Sequence, residues 1–175
     1  MRRSLSLAAL LLFPAALTAQ GPVVGDAAPA VSMTVAGKDG VASKPVSLAS
    51  LKGKVVVLAF FPRARTSGCT IQMKAYRDRF DELFGKDAEL IAISTDTPEA
   101  LAAWAKDEAF PFRFGSDVGG NIGRAFAVAN PAGTVDSRVL FVIGKDGKIA
   151  KVMRPFREID PTAYDDLKAA IQMAR

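Results

Sequence analysis

From Val55 to Phe61 the chain reads Val55-Val56-Val57-Leu58-Ala59-Phe60-Phe61, an unbroken apolar run rich in β-branched and aromatic residues. A run of this kind with no polar alternation predicts a strand covered on both faces, at the centre of a sheet. Pro62 ends it, because proline has no N–H to give to a sheet ladder. The period then changes: from Thr70 to Phe84 the apolar residues Met73, Tyr76, Phe80, Leu83 and Phe84 recur at spacings of three and four, which predicts a helix with one apolar face. Its start falls close to Cys69. Thr66 or Ser67 is a candidate N-cap, and Gly68 lets the backbone approach a ligand closely.

The remaining pattern supplies the other layers. Val23 to Lys54 reads as an extended leading segment, with a short strand near Val31 to Val35 and a Gly-Lys-Asp-Gly turn at Gly37 to Gly40. Ala88 to Ser94 is a second apolar strand, and Thr97-Pro98-Glu99 opens a helix to Glu108 with a capping residue and proline at its first position. That helix carries the single tryptophan, Trp104, whose spacing marks it as a packing residue. A loop containing Phe110-Pro111-Phe112 and a short helix from Gly119 to Ala127 follow. Val135 to Gly144 and Ile149 to Met153 flank Lys145-Asp146-Gly147-Lys148, and an Asp-Gly pair between apolar runs predicts a hairpin. Asp160-Pro161 starts a last helix with Tyr164, Leu167 and Ile171 on one face. Strand-helix-strand-helix followed by hairpin and helix predicts an α/β fold of thioredoxin-like layout, a central mixed sheet flanked by helices.

Composition narrows the chemistry. Half of the 175 residues are apolar, enough for one core and one domain spanning residues 20–175. Arg2 and Arg3, the apolar run Leu5 to Leu17 and the small residues before Gln20 have the order of a secretory signal over residues 1–19, with cleavage after Ala19. The alternative is retention as an anchor, disfavoured because the run is shorter than the ~20 residues needed to span a bilayer. The reading therefore expects an exported, periplasmic or otherwise extracytoplasmic protein with no membrane attachment after cleavage. Loss of Arg2 and Arg3 takes the net charge from +5 to near +3, with lysines and arginines interspersed among acids, so nucleic-acid binding has little support.

With a single cysteine the chain cannot form an internal disulfide, and an odd cysteine in an exported protein points to an intermolecular partner or a reactive thiol. The absence of histidine excludes a histidine-held haem, a histidine-ligated zinc, a Ser-His-Asp triad and a Cys-His pair. Activation of Cys69 must come from elsewhere. A free thiol has a pKa of about 8.5, and a helix N-terminus together with an arginine in contact stabilises the thiolate. Arg63 and Arg65 are candidates by proximity. Arg138 is another, because an arginine opening the apolar stretch Val139-Leu140-Phe141-Val142-Ile143 must find an anionic or polar partner. The plainer alternatives stand beside these: Cys69 as a small buried hydrophobe, the arginines as solvated charges, Thr66 as a cap alone.

Pro62-x-x-x-Thr66-x-x-Cys69, placed directly after a buried strand, resembles the active-site motif of the peroxiredoxins, thiol-dependent peroxidases of thioredoxin-like fold. Val24-Gly25-Asp26-Ala27-Ala28-Pro29, Leu48 to Lys54, Ile93-Ser94-Thr95-Asp96, Phe110-Pro111-Phe112 through Ser116-Asp117, and Arg138-x-x-Phe141-Val142-Ile143 with Lys145 to Ile149 resemble further family segments in the same order. The nearest branch resembles the bacterioferritin comigratory protein, or PrxQ, type. The resemblance implies that Cys69 attacks the O–O bond of hydrogen peroxide or an organic hydroperoxide, leaving a sulfenic acid. It further implies that Thr66 hydrogen-bonds peroxide and thiolate, Arg138 stabilises the thiolate and polarises the peroxide, Pro62 shields the pocket, and the N–H groups of Gly68 and Cys69 bind the peroxide oxygen. No metal or organic cofactor is implied, and a monomer or weak homodimer is expected. Members of that branch often carry a resolving cysteine five residues after the first; here the position is Lys74. The expected partner is therefore an external thiol, of thioredoxin, glutaredoxin or low-molecular-weight type. A thioredoxin-like redox sensor or binding module without peroxide turnover is the competing reading, and a dithiol oxidoreductase is disfavoured because no Cys-x-x-Cys pair exists.

Overall fold

The computed structural model describes residues 21–175 apart from residue 87; the segment read as an export signal lies outside the described residues. A short leading hairpin, β1 (Ser32–Gly37) and β2 (Gly40–Val41), is followed by β3 (Val46–Ser47) and then by β4 (Val55–Phe60). After β4 come α1 (Ser67–Asp78), α2 (Phe80–Leu83), β5 (Ala88–Ser94), α3 (Pro98–Asp107), β6 (Arg113–Ser116), α4 (Asn121–Ala125), β7 (Val139–Ile143), β8 (Ile149–Met153) and α5 (Pro161–Met173). The strands form one mixed sheet in the order β2-β1-β6-β5-β4-β7-β8, with β3 paired to β1.

β4 lies inside the sheet, parallel to β5 and antiparallel to β7. All six of its residues are buried, as an apolar run without alternation requires. Its pleat divides them between two cores. Val55, Val57, Ala59 and the following Phe61 face α1, α3 and α5 with Met73, Tyr76, Trp104, Leu167 and Ile171. Val56, Leu58 and Phe60 face Leu48, Leu51, Ile122 and Phe126 on the other side. Trp104 is a packing residue, its ring against those of Phe61, Phe110 and Phe114.

The elements depart from the sequence pattern in three places. The single helix expected from Thr70 to Phe84 is broken at Arg79, whose φ/ψ of −114°/23° leaves the helical region while its guanidinium pairs with Glu82 and with Asp165 of α5. β6 falls where only a loop is expected, since four residues after a proline are too few to show a period. It joins the sheet because its edges meet β5 on one side and β1 on the other, with Gly115 packed so tightly that an added Cβ would lie 2.8 Å from Met33 Sδ. Thr66 occupies the N-cap position of α1, but its hydroxyl donates to Arg63 O at 3.0 Å and caps nothing. By contrast, Thr97 and Asp160 do cap α3 and α5, accepting from Ala100 N and Thr162 N.

Candidate active site

The site forms where β4 ends and α1 begins, on the carboxyl-end side of the parallel pair β4 and β5, where open α/β sheets place their ligands. Pro62 sits half-buried just past the strand. The loop to α1 is held from below by Asp96, whose carboxylate accepts from Ala64 N and from Ser94 Oγ, both at 2.8 Å. Arg65 takes a left-handed φ of 63°, uncommon for a residue with a Cβ, and its guanidinium is paired with Asp107 of α3. The first intrahelical bond of α1 runs from Thr70 N to Thr66 O, so the N–H groups of Ser67, Gly68 and Cys69 precede it and have no helical acceptor.

Cys69 is the third residue of α1 and is 1% exposed. The antiparallel register explains which cation reaches it. Val139, the first residue of β7, pairs with Phe60, the last of β4, so Arg138 falls beside the point where α1 starts. Its Nη2 lies 3.5 Å from Cys69 Sγ. Neither Arg63 nor Arg65 makes this approach: Arg63 is exposed at a depression beside Thr95 and Asp96, and Arg65 points to Asp107.

All three guanidinium nitrogens of Arg138 are engaged. Nη1 donates to Gln72 Oε1, and Nε pairs with Glu158 Oε2 at 3.1 Å. Gln72 is fully buried and its Nε2 donates to Tyr76 OH at 2.8 Å. Burial raises the Tyr76 pKa far above the ordinary phenol value, so this ring accepts as a neutral phenol. Tyr164 OH donates to the Glu158 backbone carbonyl at 2.8 Å, and burial, with the Glu158 charge second, pushes its pKa up to about 12.

Of the residues singled out from sequence, Cys69, Gly68 and Arg138 are brought together; an added Cβ on Gly68 would lie 3.2 Å from Arg138 Nη2. Thr66 and Pro62 sit on the loop leading into the same helix start, Thr66 exposed. Sequence reasoning missed Gln72, Glu158, Tyr164 and Asp96. Gln72 left a signal, since Cys69, Gln72, Met73 and Tyr76 follow the three-and-four spacing of one helical face and a polar residue within that stripe needs a partner. Glu158 left none, because it lies in a loop that only the folded chain brings to Arg138. A more enclosed cavity of about 190 Å³, lined by Ala28, Leu48, Leu51, Val56 and Gly144, contains no residue of the thiol site.

Comparison with known proteins agrees with this geometry. Residues 24–152 match the AhpC/TSA family. The chain is 36% identical over 124 residues to the chloroplastic peroxiredoxin Q of Sedum lineare, covering 68% of this chain and 67% of that one. It is 35% identical over 139 residues to peroxiredoxin Bcp of Escherichia coli strain K12, covering 76% and 86%. The chain spans as little as 54% of the length of the plant relatives it matches. Its fold superimposes on peroxidoxin BcpB from Mycobacterium tuberculosis with a TM-score of 0.75 at 27% identity, covering 88% of this chain and 99% of that one. A buried thiol at a helix start with an arginine from the residue just before the antiparallel strand, on a thioredoxin-like sheet, joins these matches in one conclusion: the chain belongs to the AhpC/TSA family, the peroxiredoxins, and its only cysteine is Cys69.

Proposed function

We propose that Cys69 is the peroxidatic thiol of a one-cysteine peroxidase that reduces hydrogen peroxide and organic hydroperoxides and is recycled by an external thiol. The observation that carries the reading is the approach of Arg138 Nη2 to within 3.5 Å of Cys69 Sγ at the start of α1. The thiolate sulfur attacks the outer oxygen of the hydroperoxide; the S–O bond forms as the O–O bond breaks, and the leaving oxygen takes a proton to depart as alcohol or water. Arg138 and the N–H groups of Gly68 and Cys69 stabilise the charge that develops on both oxygens. Donors of this kind are worth about 3 kcal/mol each in related oxyanion sites. Thr66, on the loop entering α1, keeps its hydroxyl lone pairs for the incoming peroxide, and Pro62 limits water access.

The sulfenic acid then condenses with an external thiol to a mixed disulfide and water, and a second thiol releases Cys69 with formation of the reductant disulfide. Lys74, at the position of the missing resolving cysteine, is paired with Glu108 at 3.2 Å. Stopped-flow oxidation of Cys69 tests the reading: it requires a rate constant far above that of free cysteine and loss of peroxide consumption in Cys69→Ser. A rate equal to free cysteine would refute it. The run Leu5 to Leu17 after Arg2 and Arg3 supports export of the domain, and cell fractionation tests it. Among the described residues no helix is long and apolar enough to cross a membrane. A monomer or weak homodimer is expected, with sedimentation analysis as the check.

A further inference from the structure

We propose that Glu158 determines substrate specificity at this site, making it select neutral hydroperoxides over those that carry a negative charge. The proposal rests on the peroxidase reading above and concerns a residue that the reading does not use. Glu158 comes from the segment between β8 and α5, pinned at one end by Phe156 N donating to Arg138 O at 3.0 Å and at the other by Tyr164 OH on its own carbonyl. Its Oε2 holds Arg138 Nε at 3.1 Å. Its other oxygen, Oε1, reaches over the start of α1, where an added Cβ on Gly68 would lie only 2.7 Å away. The carboxylate is therefore lodged in the space that the missing Gly68 side chain leaves open, beside the helix N–H groups and the guanidinium that receive a peroxide.

The charge balance follows. A guanidinium at a helix N-terminus, taken alone, draws any anion, including the carboxylate of an acidic hydroperoxide. Here Glu158 already neutralises Arg138, and the Cys69 thiolate adds a second negative charge. An incoming anion meets a net negative site, whereas a neutral hydroperoxide brings no charge to be repelled. The pair is only 14% and 22% exposed at its side chains, so water screens this repulsion poorly. The neighbouring depression of about 720 Å³ extends the same preference. Its charged lining residues, Arg138, Arg157, Glu158 and Asp160, are two cations and two anions, and Pro155, Ile159 and Pro161 offer apolar surface to an alkyl or aryl group, Ile159 being 77% exposed.

Second-order rate constants for Cys69 oxidation by cumene hydroperoxide and by its para-carboxylate test the proposal, since the two differ in one charge. The wild-type protein should prefer the neutral compound by about tenfold at low salt, because like charges held close are costly to bring together. In Glu158→Gln, which keeps an acceptor for Arg138, and in the smaller neutral Glu158→Ser, that preference should shrink to about threefold or less. A purely supporting role for Glu158 would change both rates by the same factor and leave the ratio intact; that result, or a wild-type protein with no preference, overturns the proposal. If neither compound oxidises wild-type Cys69 faster than free cysteine, the peroxidase reading itself fails, a distinguishable outcome.

Discussion

Arg138 is the residue on which the others converge, donating to Cys69 and Gln72 and pairing with Glu158. A lysine has the charge but not the planar fork, and its single nitrogen cannot occupy the three positions from which the guanidinium nitrogens reach Cys69, Gln72 and Glu158. Arg138→Lys should therefore lower the second-order rate constant for hydrogen peroxide by roughly 100-fold, the cost of losing one well-placed donor. Stopped-flow kinetics check the rate while circular dichroism reports on the fold. Gly68→Ala separates activity from stability at the neighbouring position. Alanine favours a helix over glycine by about 1 kcal/mol, and the atom its Cβ meets at 2.7 Å is the end of a flexible side chain, Glu158. The melting temperature should hold or rise. Displacing Glu158 and Arg138 should nonetheless slow Cys69 oxidation by about tenfold, because small misplacements of catalytic groups are expensive.

The short segments that lead to Arg138 hold a pair of buried acids, Asp117 and Asp136. Asp117 accepts from Ile122 N and Gly123 N at the start of α4, at 2.8 and 2.7 Å. Asp136, bridged to Ala129 two residues before Arg138, is fully buried, and neither carboxylate oxygen has a hydrogen-bond partner among the described residues. Burial, with the Asp117 charge second, pushes its pKa up to about 7. A carboxyl whose pKa is higher folded than unfolded binds its proton more tightly in the folded state. Its contribution to stability is complete below the unfolded value, about 4, and is lost as pH rises through the folded one. The melting temperature of the wild-type protein should thus fall from about pH 5 to about pH 8 by several degrees more than that of Asp136→Asn, given that about 1 kcal/mol moves a domain of this size by roughly 2–4 °C. Thermal melts across that range check it, and parallel curves for the two proteins would contradict it.

At the level of the whole molecule the sheet divides two cores and brings one end of β7 to one end of β4, while the chain supplies no second thiol. On the proposed reading, peroxide reduction uses groups of this fold alone and regeneration does not. Without added thiol, consumption of hydrogen peroxide should stop at about one equivalent per chain with Cys69 trapped as sulfenic acid, or at about two or three where it is carried on to sulfinic or sulfonic acid. Continuous turnover without a reductant, measured with a peroxide electrode, would contradict this. Supplying a dithiol protein and a small thiol in turn then identifies which class restores the thiol.

Local chemistry in the sequence determined much of this. The unbroken run Val55 to Phe61 could only be an interior strand, and Pro62 had to end it. The spacing of Met73 and Tyr76 required a helix beginning near Cys69, and Asp146-Gly147 marked the turn between β7 and β8. Periodicity and turn chemistry act over a few residues, so such features can be read along the chain. The tertiary structure decided what depends on distant segments: that Arg138, not the nearer Arg63 or Arg65, reaches the sulfur, because an antiparallel register sets it beside the end of β4. It also decided that β6 enters the sheet, that Thr66 leaves α1 uncapped, and that Glu158 fills the space above Gly68. Apart from the local bond of Thr66 to Arg63 O, each of these is a contact between parts of the chain whose separation in sequence carries no local signal, and only packing of the whole fold brings them together.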